Sequence, residues 1–261
     1  LYGLERKRNG HRYRRRTIIA QMKFAVVSIF PEMIESFLSW GVVGRARTNK
    51  ILDIEVYQLR DYTHDAHRTT DDYVYGGGGG MVMKPAPVYE CIDDYASRNE
   101  RFKVVFPSPQ GKIFDSETAK ELSRQENLVF LCGRYEGIDE RIMDRVDYEL
   151  SIGSFVVSGG EIPALLMIDA ISRFVPGVVG NEQSVIQDSF YNGLLDHANW
   201  TRPEVYRGLA VPKVYVNGHH KEIEKARKRD SIIRTILKNP KLFLEKEIGL
   251  EEKTAIIEII K

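Results

Sequence analysis

Cysteine is scarce in this chain of 261 residues: Cys91 and Cys132 are the only two, and their spacing suits no metal ligand set. That excludes a disulfide framework and predicts a reducing, cytoplasmic setting. Long apolar runs are missing as well. None approaches the ~18–20 residues that cross a bilayer, so no membrane-spanning helix is expected. A Walker lysine is also absent, because no Lys-Ser/Thr pair follows the five glycines Gly76 to Gly80. Without it a phosphate-binding NTPase is disfavoured. The same glycines do not follow a strand closely, and Pro85 and Pro87 come straight after, which excludes a dinucleotide fingerprint. The run reads either as a flexible hinge or as a loop whose bare backbone approaches a ligand. His64 and His67 lack further His or Cys in a sensible array, so no metal site is assigned. There is no internal repeat.

Net charge is small, +1, but uneven. Residues 1–21 hold seven Lys/Arg against one Glu, which leaves the rest of the chain at −5. This head precedes Met22 and the first strand pattern, and it is expected to lie outside the fold, as a leftover or alternative start in preference to a functional basic arm. The remainder is long enough for one large or two ordinary domains, and 43% hydrophobic residues support a packed core.

Lys23 to Ile29 reads as a strand, and Pro31 suits the first turn of a helix after it, a βα opening that points to an α/β domain. Ile51 to Tyr57 alternates like a strand and runs into a polar loop from Arg60 to Asp72. Val88 to Arg98 reads as helix, and Phe102 to Phe106 as a strand that ends in a rigid turn, Pro107-Ser108-Pro109-Gln110-Gly111. Asn127 to Leu131 is a short apolar run of buried-strand type, followed by Cys132-Gly133-Arg134-Tyr135-Glu136-Gly137. Val146 to Ile152 alternates, and Phe155-Val156-Val157 precedes another turn, Ser158-Gly159-Gly160-Glu161. Ligands in open α/β sheets collect beyond the carboxyl ends of strands, so these three turns form the candidate site.

Glu161 to Val175 has the spacing of a mostly buried helix carrying Arg173 in its last turn, where it suits the helix dipole. Residues 176–188 contain few packing residues and read as a mobile linker. Asp188 at its end is either a helix N-cap or a catalytic carboxylate. His219 to Lys238 holds seven Lys/Arg against three acids, a helix able to bind phosphates by charge, and Glu251 to Ile260 reads as a short amphipathic helix.

The ordered set Ser28-Ile29-Phe30-Pro31-Glu32-Met33, Thr63-His64-Asp65-Ala66-His67-Arg68, Ser108-Pro109-Gln110-Gly111, Cys132 to Arg141 and Ser158 to Glu161 closely resembles the bacterial tRNA (guanine-N1)-methyltransferases. Ser172-Arg173-Phe174, Asp188-Ser189-Phe190 and Thr201-Arg202-Pro203-Glu204 extend the likeness over residues 22–261. The resemblance implies a SPOUT-type α/β domain with a deep trefoil knot over residues 22–180. A linker and a smaller, mainly helical tRNA-binding unit would follow over residues 181–261. It implies a cytoplasmic homodimer with active sites at the subunit interface, acting on tRNA at guanosine 37, with neither DNA nor membrane as a partner.

By the same resemblance S-adenosyl-L-methionine would lie against Phe106, Ser108, Pro109 and Gln110. Gly133, Tyr135, Glu136 and Gly137 would form a second wall, and Ile152, Val157, Gly159, Gly160 and Pro163 the third. Asp188 would take the proton from guanine N1, Arg173 would face O6, and Glu136 would sense the sulfonium charge. Asp65, His67 and Arg68 would lie near the tRNA or the dimer interface, and Lys221, Lys225, Arg227 and Arg234 would grip the tRNA backbone. Magnesium is implied for catalysis in the family, but no cage of carboxylates for it is evident in the sequence. Gly79 and Ser154 depart from the proline and acidic residue usual in the family. A methyltransferase of the same fold acting on another RNA guanosine, or a non-catalytic RNA-binding module, remains the alternative.

Overall fold

The computed structural model describes residues 22–180 and 182–260, and the basic head at residues 1–21 lies outside the described residues. β1 (Met22–Ser28) leads into α1 (Pro31–Leu38), where Pro31 occupies a first-turn position that needs no N–H. α2 (Gly41–Thr48) and β2 (Leu52–Gln58) follow, and a short 3-10 turn over Leu59–Tyr62 opens the polar loop. The five-glycine run lies in the connection of a β-hairpin, β3 (Asp71–Tyr73) against β4 (Met81–Met83). α3 (Pro85–Arg98) begins before the expected Val88, because Pro85 and Pro87 both fall in the first turn, whose N–H groups have no intrahelical acceptor.

β5 (Lys103–Ile113), α4 (Ser116–Leu122) and β6 (Asn127–Leu131) come next. α4 is capped by the Asp115 carboxylate, which accepts from the Thr118 amide at 2.8 Å. A 3-10 segment over Glu140–Arg145 precedes β7 (Tyr148–Ser151), and α5 (Glu161–Ser172) closes this part.

The five longer strands pair in parallel in the order β2-β1-β6-β5-β7. Phe24 and Val26 of β1 pack into one core cluster and Ala25 and Val27 into the other, and β6 divides Leu128 and Phe130 from Val129 and Leu131 in the same way. Helices α1, α2, α4 and α5 cover the first face, and α3 with Ile142 covers the second. This is why both strands read as unbroken apolar runs: a parallel sheet is buried on both sides. Phe130 has no exposed surface, so Phe130→Ala would cost about 3–5 kcal/mol.

The rest of the described chain is α6 (Glu182–Gln187), a small antiparallel hairpin of β8 (Val205–Tyr206) and β9 (Leu209–Ala210), then α7 (His220–Lys238), α8 (Pro240–Glu245) and α9 (Leu250–Ile260). α8 and α9 pack on α7. The segment before the hairpin is tied to the same helix, with Leu195 N–H donating to Thr235 Oγ1 at 2.9 Å and Ser231 Oγ to the Leu195 carbonyl at 2.5 Å.

Residues 176–188 include α6 and bury Val178 and Val185. Two sequence expectations change. Phe155 to Val157 form no strand and are exposed, Val156 at 81%, so the turn that follows is reached from an open loop. The prolines and glycine of 107–111 do not end β5: Pro107 and Lys112 both face Leu150, so residues 108–111 bulge out while pairing with β7 resumes.

Candidate active site

The carboxyl ends of β5, β6 and β7 open into one cavity of about 340 Å3. Its first wall is the β5 bulge, with Phe106, Ser108, Pro109 and Gln110. Gly111 is required in that bulge, since a Cβ there would strike the backbone of Glu149 and Leu150. Ser108 Oγ accepts from the Gln110 amide at 3.1 Å and holds the bulge in shape.

The second wall follows β6 and carries Gly133, Tyr135, Glu136 and Gly137. Tyr135 sits at φ +61, a left-handed conformation that a bulky residue keeps only when its surroundings enforce it. Here the hairpin enforces it. Glu136 N–H donates to the Met81 carbonyl and Met83 N–H to the Gly137 carbonyl, each at 3.0 Å. Strand β4 thus supports this turn from behind, and Gly80 just before it has no room for a side chain against Glu136.

Ile152, Val157, Gly159, Gly160 and Pro163 form the third wall. Gly160 N–H donates to the Gly133 carbonyl at 2.8 Å, and a Cβ on Gly160 would lie 2.8 Å from the Cys132 Cα. At Gly133 a Cβ would lie 2.9 Å from the Phe106 ring. Backbone therefore meets backbone at the floor of the cavity, and peptide N–H and C=O groups are left to recognise a ligand. Every residue expected around the cofactor lines this one space.

Arg173 and Asp188 do not. Arg173 caps α5 and Asp188 follows α6, so the N-cap reading of Asp188 is replaced by a position at a helix end. The two side chains form an ion pair and line a different cavity of about 680 Å3. Phe174 and Tyr191 stack in its wall at 6.2 Å between ring centroids, with the Lys120 ammonium 5.0 Å from the Tyr191 ring.

Asp65, His67 and Arg68 lie apart from both cavities. The Asp65 carboxylate accepts from the amides of His67 and Thr69, and these backbone contacts to Thr69 oppose its desolvation and hold its pKa below the ordinary value. Arg68, at φ +53, pairs with Asp61. Lys221, Lys225, Arg227 and Arg234 all sit on α7. Lys225 pairs with Glu222 at 3.6 Å and Arg234 with Asp230 at 2.7 Å. Among the described residues, no group of three His, Cys, Asp or Glu is arranged to hold a metal ion.

Sequence reasoning assigned no role to Arg134, which lines the cavity, or to Glu161, which pairs with it from behind the wall. Their signal was present: an acid at the first position of a mostly buried helix must find a partner. Glu140 and Glu149 also reach the cavity wall, and neither stands out in sequence from ordinary surface acids.

A family model described as tRNA (Guanine-1)-methyltransferase TrmD matches residues 22–245. A tRNA (guanine-N(1)-)-methyltransferase of Thermosipho africanus (strain TCF52B) is 50% identical over 240 residues, covering 92% of this chain and 97% of that protein. Proteins of the same name from Thermotoga maritima and Clostridium beijerinckii are 49% and 47% identical, each covering 92% of this chain and 98% of its own length. With matches of this extent, the chain belongs to the tRNA (guanine-1)-methyltransferase TrmD family.

Proposed function

We propose that this protein transfers a methyl group from S-adenosyl-L-methionine to N1 of guanosine 37 in tRNA, beside the anticodon. Family membership supports tRNA and guanine N1 as substrate and target. The observation that carries the choice of donor is the cavity at the strand ends. Its floor is backbone kept bare by Gly133 and Gly160, and its volume of about 340 Å3 falls within the ~300–1,000 Å3 usual for small-molecule sites. S-adenosyl-L-methionine, when bound, supplies an electrophilic methyl group beside a cationic sulfonium. Glu136 on the wall stabilises that charge, the more so in a partly dry space.

The chain's own residues do the proton chemistry. Guanine N1 carries a proton at neutral pH, and Asp188 accepts it. The charge that then spreads to O6 is met by the fixed cation of Arg173. In a single chain these two groups line a cavity other than the one assigned to the cofactor, which supports a homodimer whose active site joins the cofactor cavity of one protomer to the Arg173–Asp188 pair of its partner. An apolar surface suits that dimer. α1 packs beside α5, and Phe37, Trp40, Ile162 and Leu166 from this region are all exposed.

We read residues 22–180 as a catalytic domain with a deep trefoil knot, a reading supported by the return of the chain at Gly160 across Gly133. Residues 181–261 act as linker and tRNA-binding unit, with Lys221, Lys225, Arg227 and Arg234 on the RNA backbone and Asp65, His67 and Arg68 at the RNA or dimer contact. The test is transfer of labelled methyl to two tRNA transcripts, one with guanosine at positions 36 and 37 and one with adenosine at 37. Transfer to the first alone, mapped as 1-methylguanosine, is expected. Transfer to both would place the target at another guanosine, and transfer to neither, with the cofactor bound, would leave a non-catalytic RNA-binding module.

A further inference from the structure

Glu161 has no exposed surface, opens a mostly buried helix, and has no part in the chemistry above. A buried carboxylate persists only when it is paired. Its partners come from two other elements. Ser28, at the end of β1, donates its Oγ–H to Glu161 Oε1 at 2.7 Å, and Arg134 Nε lies 2.9 Å from Oε2. The amino end of α5 adds its own positive field.

Arg134 is held on every side. Its Nη1 donates to the Ser158 carbonyl at 3.1 Å, and its guanidinium lies 4.6 Å from the centroid of the Phe30 ring. Gly159 has to be glycine at this point, because a Cβ would run into the Arg134 side chain. Nε and Oε2 complete no hydrogen bond with each other despite their closeness, so their link is ionic. Arg134 belongs to the second wall of the cavity and grips the carbonyl that begins the third.

We propose that Glu161 is a positioning residue for the cofactor cavity: acting through Arg134, it fixes the spacing between the Gly133–Gly137 turn and the Ser158–Gly160 turn. The proposal rests on reading that cavity as the cofactor site. A salt bridge that only stabilised the fold would shift the melting temperature and leave the ligand constants of the folded enzyme alone. A positioning residue moves them selectively.

Glu161→Gln can still accept from Ser28 but gives up the ionic link. It is expected to raise KM for S-adenosyl-L-methionine, and its Kd by calorimetry, about tenfold, with kcat at saturating cofactor within about twofold of wild type. Arg134→Gln should produce the same loss, and the double variant no more than either single one, because both act through one contact. Losses that multiply in the double variant, or a normal Kd in folded Glu161→Gln, overturn the proposal. If Glu161→Gln does not fold, Arg134→Gln decides alone, and an unchanged Kd there overturns it too. Wild-type calorimetry separates the two levels. No binding by wild type removes the cofactor reading together with this proposal, whereas tight wild-type binding with unaltered variants removes only the role of Glu161.

Discussion

Arg173 and Asp188 are ion-paired across the ends of α5 and α6, so the two groups assigned to opposite ends of one proton transfer already lie side by side. The Watson–Crick edge of guanine presents N1–H next to O6, a donor beside an acceptor. A carboxylate next to a guanidinium matches that edge. Their side chains are 39% and 42% exposed, and an ion pair so open to water contributes only about 0–1 kcal/mol, so a guanine edge can replace it at little cost. Asp188→Asn and Arg173→Ala should each lower methyl transfer at saturating cofactor by on the order of 10²-fold or more. Cofactor binding, followed by calorimetry, should survive both changes. Near-normal turnover in either variant takes that residue out of the mechanism.

A site divided between protomers makes a stronger prediction. Glu136 lines the cavity at the strand ends and Asp188 lines the other one. If each active site takes Glu136 from one protomer and Asp188 from its partner, a dimer of Glu136→Gln with Asp188→Asn contains one intact site and one doubly impaired site. Mixing equal amounts of the two weak variants, with subunit exchange, should restore roughly a quarter of wild-type activity. Were both residues drawn from the same chain, every site in the mixture would carry one lesion and nothing would be regained.

The sheet was legible in the sequence because a parallel strand covered on both faces leaves an unbroken apolar run, as in Phe24 to Val27 and Leu128 to Leu131. The turns were legible because Gly133 and Gly160 have no space for a side chain. Other features depend on contacts between distant segments, which local pattern does not carry. The strained Tyr135 turn is held by a hairpin more than 50 residues earlier, through Met81. Pro107 looks like a strand breaker, yet β5 absorbs it because pairing resumes at Lys112. Likewise the 176–188 segment is poor in apolar residues, but Val178 and Val185 suffice to anchor it.

If α7 holds the tRNA backbone as proposed, its charge sets the salt response. Lys225 and Arg234 are already partly neutralised by Glu222 and Asp230, whereas Lys221 is exposed at the amino end of the helix. Lys221→Ala should therefore weaken tRNA binding and flatten the plot of log Kd against log salt by about 0.7–0.9, one phosphate contact, between roughly 50 and 200 mM. Filter binding across that range measures it. An unchanged slope would place Lys221 off the RNA. Arg227 differs, because its Nε is buried beside a small cavity, so Arg227→Ala should also lower the melting temperature.

The two thiols report on how the fold opens. Burial pushes the Cys91 thiol up to about 12, and burial together with the charge of Glu161 holds Cys132 well above the usual thiol range. A raised folded-state pKa means that the native protein keeps a proton the unfolded chain releases above about 8.5. This part of the stability is therefore complete at neutral pH and declines as pH climbs from about 8.5 toward 12. At pH 8 iodoacetamide should modify neither cysteine in the native protein and both in denaturant, with two additions by mass spectrometry. Cys132 directly precedes Gly133 on the cavity floor, so saturating S-adenosyl-L-methionine should slow its residual modification more than that of Cys91. Equal slowing at both would mean that the cavity opens only when the whole sheet does.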